Sequence, residues 1–169
     1  MVSAFKPMGK IMVVAGSDSR EAAFLRRILA YGGRTNIVVS DSAGADVPRT
    51  AVLLMAGGRE SVSRAGEFAV CVMEYSLAQA GGPAGPENTV TYSVDKDGAD
   101  FTARNIRLTQ DGLAAFEIVG VGIIGRVRLK TGDKGDVLPA LAAATAAIAA
   151  GIPFAEVLEA LNGMEIGRL

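Results

Sequence analysis

The sequence predicts an α/β protein in which a mostly parallel sheet is flanked by helices, with a small antiparallel β-meander ahead of two C-terminal helices. Three observations carry this prediction. Near the N-terminus, a short apolar strand runs directly into an amphipathic helix. Strand-like runs separated by turn sequences fill residues 89–130, and an alanine-rich helix follows them. Half of the residues are apolar and 21 are glycine, a composition that suits close packing of helices on a sheet.

The first half alternates strands with helices or loops. Ile11 to Val14 is short, continuous and apolar, as buried parallel strands are. The following helix is expected over about Arg20 to Tyr31, because it carries an apolar stripe at helical spacing and ends at Gly32-Gly33. Asp18 and Glu21 have the spacing of a capping box at its start. The remaining predicted strands of this half are Asn36 to Ser40, Thr50 to Met55 and Phe68 to Met73, with Arg59 to Gly66 as a short helix or a loop.

The second half predicts four further strands and two helices. Turn sequences at 95–98 and 110–112 indicate that the last three strands form the antiparallel meander. Asp136 is expected to cap the long helix that runs to Ala150, and Pro153 to start a second helix that runs to Leu161 and stops at Asn162-Gly163. The four strands are Thr89 to Val94, Phe101 to Leu108, Ala114 to Val121 and Gly125 to Lys130. One domain is predicted, with a nucleotide-site half at 1–88, small antiparallel strands at 89–133 and C-terminal helices at 134–169.

Composition excludes several classes of function. The chain has 169 residues, a net charge of −1 and no histidine, so histidine catalysis and histidine metal sites are impossible within it. Its single cysteine, Cys71, lies in an apolar run and is expected to be a small buried hydrophobe. The arginine pairs Arg26-Arg27 and Arg126/Arg128 are interpreted as solvated faces rather than phosphate contacts. No nucleic-acid or membrane partner is expected, and neither a signal peptide nor a spanning segment is recognisable, so the expected location is cytoplasmic.

The loop after the first strand occupies the position of a phosphate-binding loop. Such loops need glycines, a lysine for the β- and γ-phosphates and a hydroxyl for Mg²⁺. Here the loop has one glycine, an arginine in the lysine's place and a glutamate where the hydroxyl belongs. The fold is therefore expected to be P-loop-like. The candidate nucleotide- or anion-binding residues are Gly16, Ser17, Asp18, Ser19, Arg20 and Glu21.

This loop and three later segments, in the same order, resemble the central domain of the Mur ligase family. These ATP-dependent enzymes add amino acids to the peptidoglycan precursor. The family's run Gly-Thr-Asn-Gly-Lys-Thr-Thr aligns without a gap on Gly16 to Ala22, which reads Gly-Ser-Asp-Ser-Arg-Glu-Ala. The family's Met-Glu-Val-Ser-Ser resembles Met73 to Leu77, and the resemblance makes Glu74 a candidate Mg²⁺ ligand. The alternative for Glu74 is a solvated glutamate at a strand end.

The other two segments carry the packing side of the resemblance. A Thr-Tyr pair followed by Ala-Asp and Asn-Ile matches 91–92, 99–100 and 105–106, and predicts fold rather than activity. The family's His-Asn-Val-x-Asn-Ala-Leu-Ala-Ala matches 135–143, where Gly135 replaces the histidine, Asp136 the first asparagine and Pro139 the second. In the family, the polar residues of this motif face nucleotide. The family's long segment with an Asp-His pair and a modified lysine corresponds here to about a dozen residues, Gln79 to Thr89, and its flanking domains have no counterpart in this sequence.

Electrostatics argues against nucleotide binding in the family's manner. Glu21 would place a carboxylate where the phosphates should lie, and at ~4 Å with an effective dielectric of about 20 one such repulsion costs about 4 kcal/mol. Arg20 offsets part of this, but its flat fork does not reproduce a lysine ammonium inside a wrapped loop. No cofactor is therefore expected, and ATP and Mg²⁺ enter only if the chain is a ligase.

Three interpretations of function remain open. The first is a non-catalytic Mur-ligase-like domain that acts by binding or interaction in cell-wall metabolism, paired with itself or with a Mur-ligase-type partner chain. The second is a divergent ATP-dependent amino-acid ligase subunit completed by another chain, in which Glu21 and Glu74 share a metal. The third is a small-anion module at the first helix N-terminus that uses Ser17, Ser19 and Arg20. The alternative to this third interpretation is that Asp18 and Ser19 simply cap the helix.

Overall fold

The protein forms one eight-stranded sheet with helices packed against it. The structure, a computed structural model, describes residues 11–14, 19–33, 37–40, 52–54, 69–80 and 88–166. The strands run in the order β2-β1-β3-β4-β5-β6-β7-β8. The strands are β1 (Ile11–Val14), β2 (Ile37–Ser40), β3 (Val52–Leu54), β4 (Val70–Glu74), β5 (Thr89–Ser93), β6 (Phe101–Leu108), β7 (Ala114–Gly120) and β8 (Ile123–Arg128). The α-helices are α1 (Arg20–Tyr31), α2 (Tyr75–Gln79), α3 (Val137–Ala149) and α4 (Phe154–Gly163).

The parallel part of the sheet contains β1 to β6. β1 lies between β2 and β3, and every neighbouring pair from β2 through to β6 is parallel. After β1, the chain adds β2 on one side of it. The chain then returns to add β3 on the other side of β1, and β4 to β6 follow β3 in that direction. In open parallel sheets, ligands bind outside the carboxyl ends of the strands at such a reversal of strand order. This topology directs attention to the segment between β1 and α1.

The antiparallel part contains β6, β7 and β8. It continues the same sheet, as both of its pairings, β6 with β7 and β7 with β8, are antiparallel. The division that assigned all of 89–133 to small antiparallel strands needs one correction. Because β5 pairs in parallel with β4 and with β6, it belongs to the parallel part.

Side-chain hydrogen bonds hold the short connection between β5 and β6. Parallel neighbours usually need a crossover of a dozen or more residues, but here residues 94–100 suffice because only two residue pairs overlap. Asp100 Oδ2 accepts from the Thr91 N–H at 2.8 Å, and Thr91 Oγ1 accepts from the Asp100 N–H at 3.0 Å. Ser93 Oγ accepts from the N–H of Lys96 at 2.9 Å. The Thr-Tyr and Ala-Asp segments therefore fix the geometry of this connection.

The alanine-rich helix α3 forms the centre of the core. It is apolar on all sides and packs against α1, α4 and several strands, as fully buried helices do. Its buried hydroxyl, Thr145 Oγ1, donates to the Leu141 carbonyl at 2.8 Å, so no polar group is left unsatisfied there. Pro139 lies in the first turn, as expected. Cys71 is fully buried in β4, which confirms its expected packing role and raises the pKa of its thiol.

The free edge of β8 is covered by a side chain of α4. Asn162 Oδ1 accepts from the Arg128 N–H at 2.8 Å, and Asn162 Nδ2 donates to the Arg126 carbonyl at 3.1 Å. The amide group thus substitutes for a neighbouring strand at an otherwise open edge. Asn162-Gly163 was expected to stop the second helix at Leu161. That expectation was wrong, since α4 runs to Gly163.

Other boundaries agree with the sequence to within a few residues. β1 and α1 have the predicted bounds, while α2 directly after β4 was not predicted. The prediction for Arg59 to Gly66 lies outside the described residues. Within the part of the chain that the structure describes, no helix has the length and apolar character that crossing a bilayer requires.

Candidate functional site

The candidate site lies where the parallel strands end and α1 and α3 begin. Of the residues predicted for it, Ser19, Arg20 and Glu21 open α1, and Glu74 is the last residue of β4. Gly16, Ser17 and Asp18 fall outside the described residues. What the site can do is therefore argued from the first turn of α1 and from the side chains that surround it.

Ser19 is the N-cap of α1. Its backbone is extended, with φ −75° and ψ 147°, and its Oγ accepts from the Ala22 N–H at 3.1 Å. This geometry satisfies one of the four donors that a helix start leaves open. Ser19 thus performs the capping that the sequence assigned first to Asp18. Its hydroxyl oxygen is occupied by the helix itself.

Arg20 is held by a carboxylate from the start of α3. Its Nε lies 2.5 Å from Asp136 Oδ1 and its Nη2 lies 3.1 Å from Asp136 Oδ2, so the pair is bidentate. The Asp136 side chain is 5% exposed and that of Arg20 is 42% exposed. The guanidinium carbon also lies 5.8 Å from the ring centroid of Phe24. Arg20 is therefore oriented by contacts within the protein.

This pair shifts the titration of both partners. The hydrogen bond from Arg20 lowers the pKa of Asp136 below its usual value, against an opposing effect of burial, and Thr131 lowers it further. The hydrogen bond to Asp136 raises the pKa of Arg20. Asp136 occupies the N-cap position of α3 but makes no side-chain capping bond. The expectation that its side chain caps this helix was wrong, because the carboxylate is turned to Arg20.

Tyr92 in β5 lies beside Glu74 of β4 and was not predicted from the sequence as a site residue. It is 4% exposed, and its partner in the register between β4 and β5 is Glu74. Burial raises the pKa of its phenol, and the carboxylates of Glu21 and Glu74 raise it further. The structure thus brings Glu21 and Glu74 within electrostatic reach of one neutral phenol. The sequence could have indicated Tyr92 only if β4 and β5 had been known to be neighbours, because Tyr92 then lies beside the glutamate that ends β4. That adjacency is set by strand order, which the sequence does not display.

The described residues do not fit Mg·ATP bound in the manner of a phosphate-binding loop. The cation at the lysine's position is neutralised by Asp136, and Glu21 adds a carboxylate in the first turn of α1. Among the described residues, no three histidine, cysteine, aspartate or glutamate side chains come together as a metal-binding group. Glu74 lies half-buried at its strand end, and its predicted role as a metal ligand stays a prediction.

The fold is shared with solved Mur ligase structures. MurF from Acinetobacter baumannii matches 93% of this chain with a TM-score of 0.63 at 16% identity. A pseudomurein peptide ligase type C from Methanothermus fervidus matches 95% with a TM-score of 0.67 at 15% identity. MurC from Thermotoga maritima matches 92% with a TM-score of 0.63 at 18% identity. No protein-family model and no curated protein matches the sequence.

These likenesses establish the fold and its extent. The predicted α/β fold of a Mur ligase central domain is confirmed. The chain spans about half the length of the solved proteins, covering 46%, 50% and 45% of the three named above. At identities of 15–18% the comparison speaks for architecture, so the chemistry of the site has to be argued from its own side chains.

Proposed function

We propose that this chain is a non-catalytic Mur-ligase-like domain that acts by binding or interaction in peptidoglycan metabolism. The link to peptidoglycan comes from the fold and from the names of the ligases that share it. The proposed loss of nucleotide chemistry comes from the first turn of α1. One observation carries it, namely the ion pair between Arg20 and Asp136.

This ion pair joins two positions that face nucleotide in the resemblance to Mur ligases. Arg20 stands in the place of the family's lysine, and Asp136 stands in the place of an asparagine. A lysine that binds phosphate must present an unpaired positive charge, whereas Arg20 is bonded twice to a buried carboxylate. Releasing Arg20 for a phosphate would leave Asp136 buried without its partner, which is costly. The pair therefore disfavours phosphate at this helix start.

Glu21 adds to this effect. It lies in the first turn of α1, where the positive end of the helix dipole stabilises its carboxylate. An acidic side chain in that position already interacts with the positive end of the helix dipole, so a bound anion would gain less from it. The small-anion module, the third interpretation from the sequence, loses support for the same reasons, because Ser19 caps the helix and Arg20 is paired.

A second candidate is a ligase subunit completed by a partner chain. The observation in its favour is that Glu74 at the end of β4 pairs with Tyr92 in β5, and that the carboxylates of Glu21 and Glu74 both raise the pKa of Tyr92. A partner that supplied further oxygen ligands could complete a divalent-metal site there. In this case the chain alone would bind neither ATP nor Mg²⁺, and activity would appear only in the complex.

Isothermal titration calorimetry with ATP and Mg²⁺ tests the proposal. The isolated chain is expected to show no nucleotide binding that depends on Arg20, even at millimolar nucleotide. A dissociation constant below roughly 100 μM that Arg20→Ala abolishes would overturn the proposal. Arg26→Ala is the matched control, because it removes an exposed arginine of the same helix without touching Asp136.

The same titration with a Mur-ligase-type partner present separates the two candidates. Nucleotide binding that appears only in the complex, and that Glu74→Gln abolishes, would support the ligase subunit. A complex that forms without nucleotide binding would support the non-catalytic domain.

A further inference from the structure

The solvent-facing side of the antiparallel strands carries an open cleft lined by three arginines. Arg107 on β6, Ala115 on β7 and Arg128 on β8 form one row across the strands, and Arg126 lies two residues before Arg128 on the same face. The cleft has a volume of about 330 Å³ and also has Thr109 and Asn162 in its walls. We refer to this feature as the arginine cleft.

The arginine cleft carries an excess of positive charge. No acidic residue is among those that line it within the described part of the chain. Arg126 is paired with an acidic residue, since its Nε lies 3.9 Å from Glu117 Oε2. Arg107 Nη1 donates to the Asn105 carbonyl at 2.9 Å, and this uncharged acceptor leaves the positive charge of Arg107 without a counter-charge. The guanidinium of Arg128 has no hydrogen bond or ion pair with another described residue. This local charge contrasts with a net charge of −1 for the whole chain.

The frame of the cleft is fixed by internal hydrogen bonds. Its floor is the small, buried side chain of Ala115, which leaves room between the arginines. Asn162 is held by the Arg128 N–H and by the carbonyls of Arg126 and Leu158. Thr109 Oγ1 accepts from the Leu113 N–H at 3.1 Å. Because Asn162 and Thr109 are already held by these hydrogen bonds, a ligand would not have to order them.

We infer that the arginine cleft binds a small anion that carries a diphosphate group. Guanidinium forks match phosphate oxygens in geometry, and Arg107 and Arg128, which flank Ala115 in one row with Arg126 beside them, suit a ligand with two adjacent anionic groups. A volume of about 330 Å³ lies at the small end of ligand sites. Arg126 and Arg128 are exposed, as their interpretation as a solvated face predicts, and the proposal adds an anion as the ligand of that face. The inference uses none of the residues of the candidate site at the start of α1.

Titration with inorganic diphosphate, in buffer free of divalent metal, tests this inference. We expect a dissociation constant below roughly 1 mM, with Arg107→Ala and Arg128→Ala each weakening binding about tenfold or more. Arg128→Lys keeps the charge but removes the fork, and is expected to have an intermediate effect. Binding should weaken as ionic strength is raised, because the arginines are exposed to solvent. Circular dichroism confirms that each variant is folded.

Two controls decide between a built site and general charge attraction. Arg26→Ala removes the same charge from α1 and should change diphosphate affinity by no more than about twofold. Orthophosphate should bind about tenfold more weakly than diphosphate. The inference is overturned if diphosphate fails to bind at several millimolar concentration, if Arg26→Ala weakens binding as much as Arg128→Ala, or if orthophosphate binds as tightly as diphosphate.

Discussion

Arg20 and Asp136 are 116 residues apart in the chain and form a bidentate ion pair, with Nε 2.5 Å from Oδ1 and Nη2 3.1 Å from Oδ2. The pair ties the first residue of α1 to the residue before α3. These are the two helices that pack most extensively against each other in the core. The contact therefore has two consequences, one for stability and one for the electrostatics of the candidate site.

Removal of Arg20 is expected to destabilise the protein. Arg20→Ala leaves the Asp136 carboxylate buried without its guanidinium, at a cost of about 1–3 kcal/mol, towards the lower end because the Arg20 side chain is 42% exposed. Urea unfolding measures this loss, and Arg26→Ala, on the same helix, should cost less than about 0.5 kcal/mol. Equal effects of the two variants would contradict the prediction.

The same pair predicts how stability depends on pH. Because Arg20 lowers the pKa of Asp136 in the folded state, the ionised pair stabilises the protein at pH values above the unfolded-state value of about 3.9. This stabilisation is lost as the pH falls through the lower folded-state pKa. Unfolding curves recorded from neutral to acidic pH should therefore show a steeper loss for the wild type than for Asp136→Asn. Parallel curves for the two proteins would show that Asp136 titrates normally.

A glycine in β8 is required for the contact with α4. A Cβ at Gly125 would clash with Leu158 Cδ1 and would lie 2.9 Å from Phe154 Cζ. Gly125→Ala should therefore lower the free energy of unfolding by about 1–3 kcal/mol. Adding Leu158→Ala should recover part of that loss, because it removes the clashing methyl groups. Gly163→Ala is the control. Gly163 lies in α4, the helix that also contains Leu158, and its Cβ would come no closer than 3.6 Å to Tyr31.

The amide of Asn162 is expected to protect the edge of β8. Asn162→Ala removes both its acceptor for the Arg128 N–H and its donor to the Arg126 carbonyl, at a cost of about 0.5–1.5 kcal/mol. Amide hydrogen exchange should become faster at Arg128 in this variant, while exchange in α3 changes only with global stability. Asn162→Asp keeps the acceptor and should preserve more of the protection at Arg128. Unchanged exchange at Arg128 in Asn162→Ala would contradict this assignment.

The sequence by itself determined most of the secondary structure and the order of its parts. The bounds of β1 and α1 follow from a short apolar run, a helical apolar stripe and paired glycines. The turn between β6 and β7 follows from Gln110-Asp111-Gly112, and the burial of α3 from its alanines. These features depend on the conformational preferences of neighbouring residues, which a sequence displays directly.

Only the tertiary structure decided which distant side chains meet. It turned Asp136 from the expected helix cap into the partner of Arg20, extended α4 so that Asn162 covers the edge of β8, and brought Tyr92 within electrostatic reach of two carboxylates. It also gathered three arginines around Ala115. The physical reason is common to all four. Strand order and helix packing set distances between residues far apart in the chain, and local patterns carry no information about those distances.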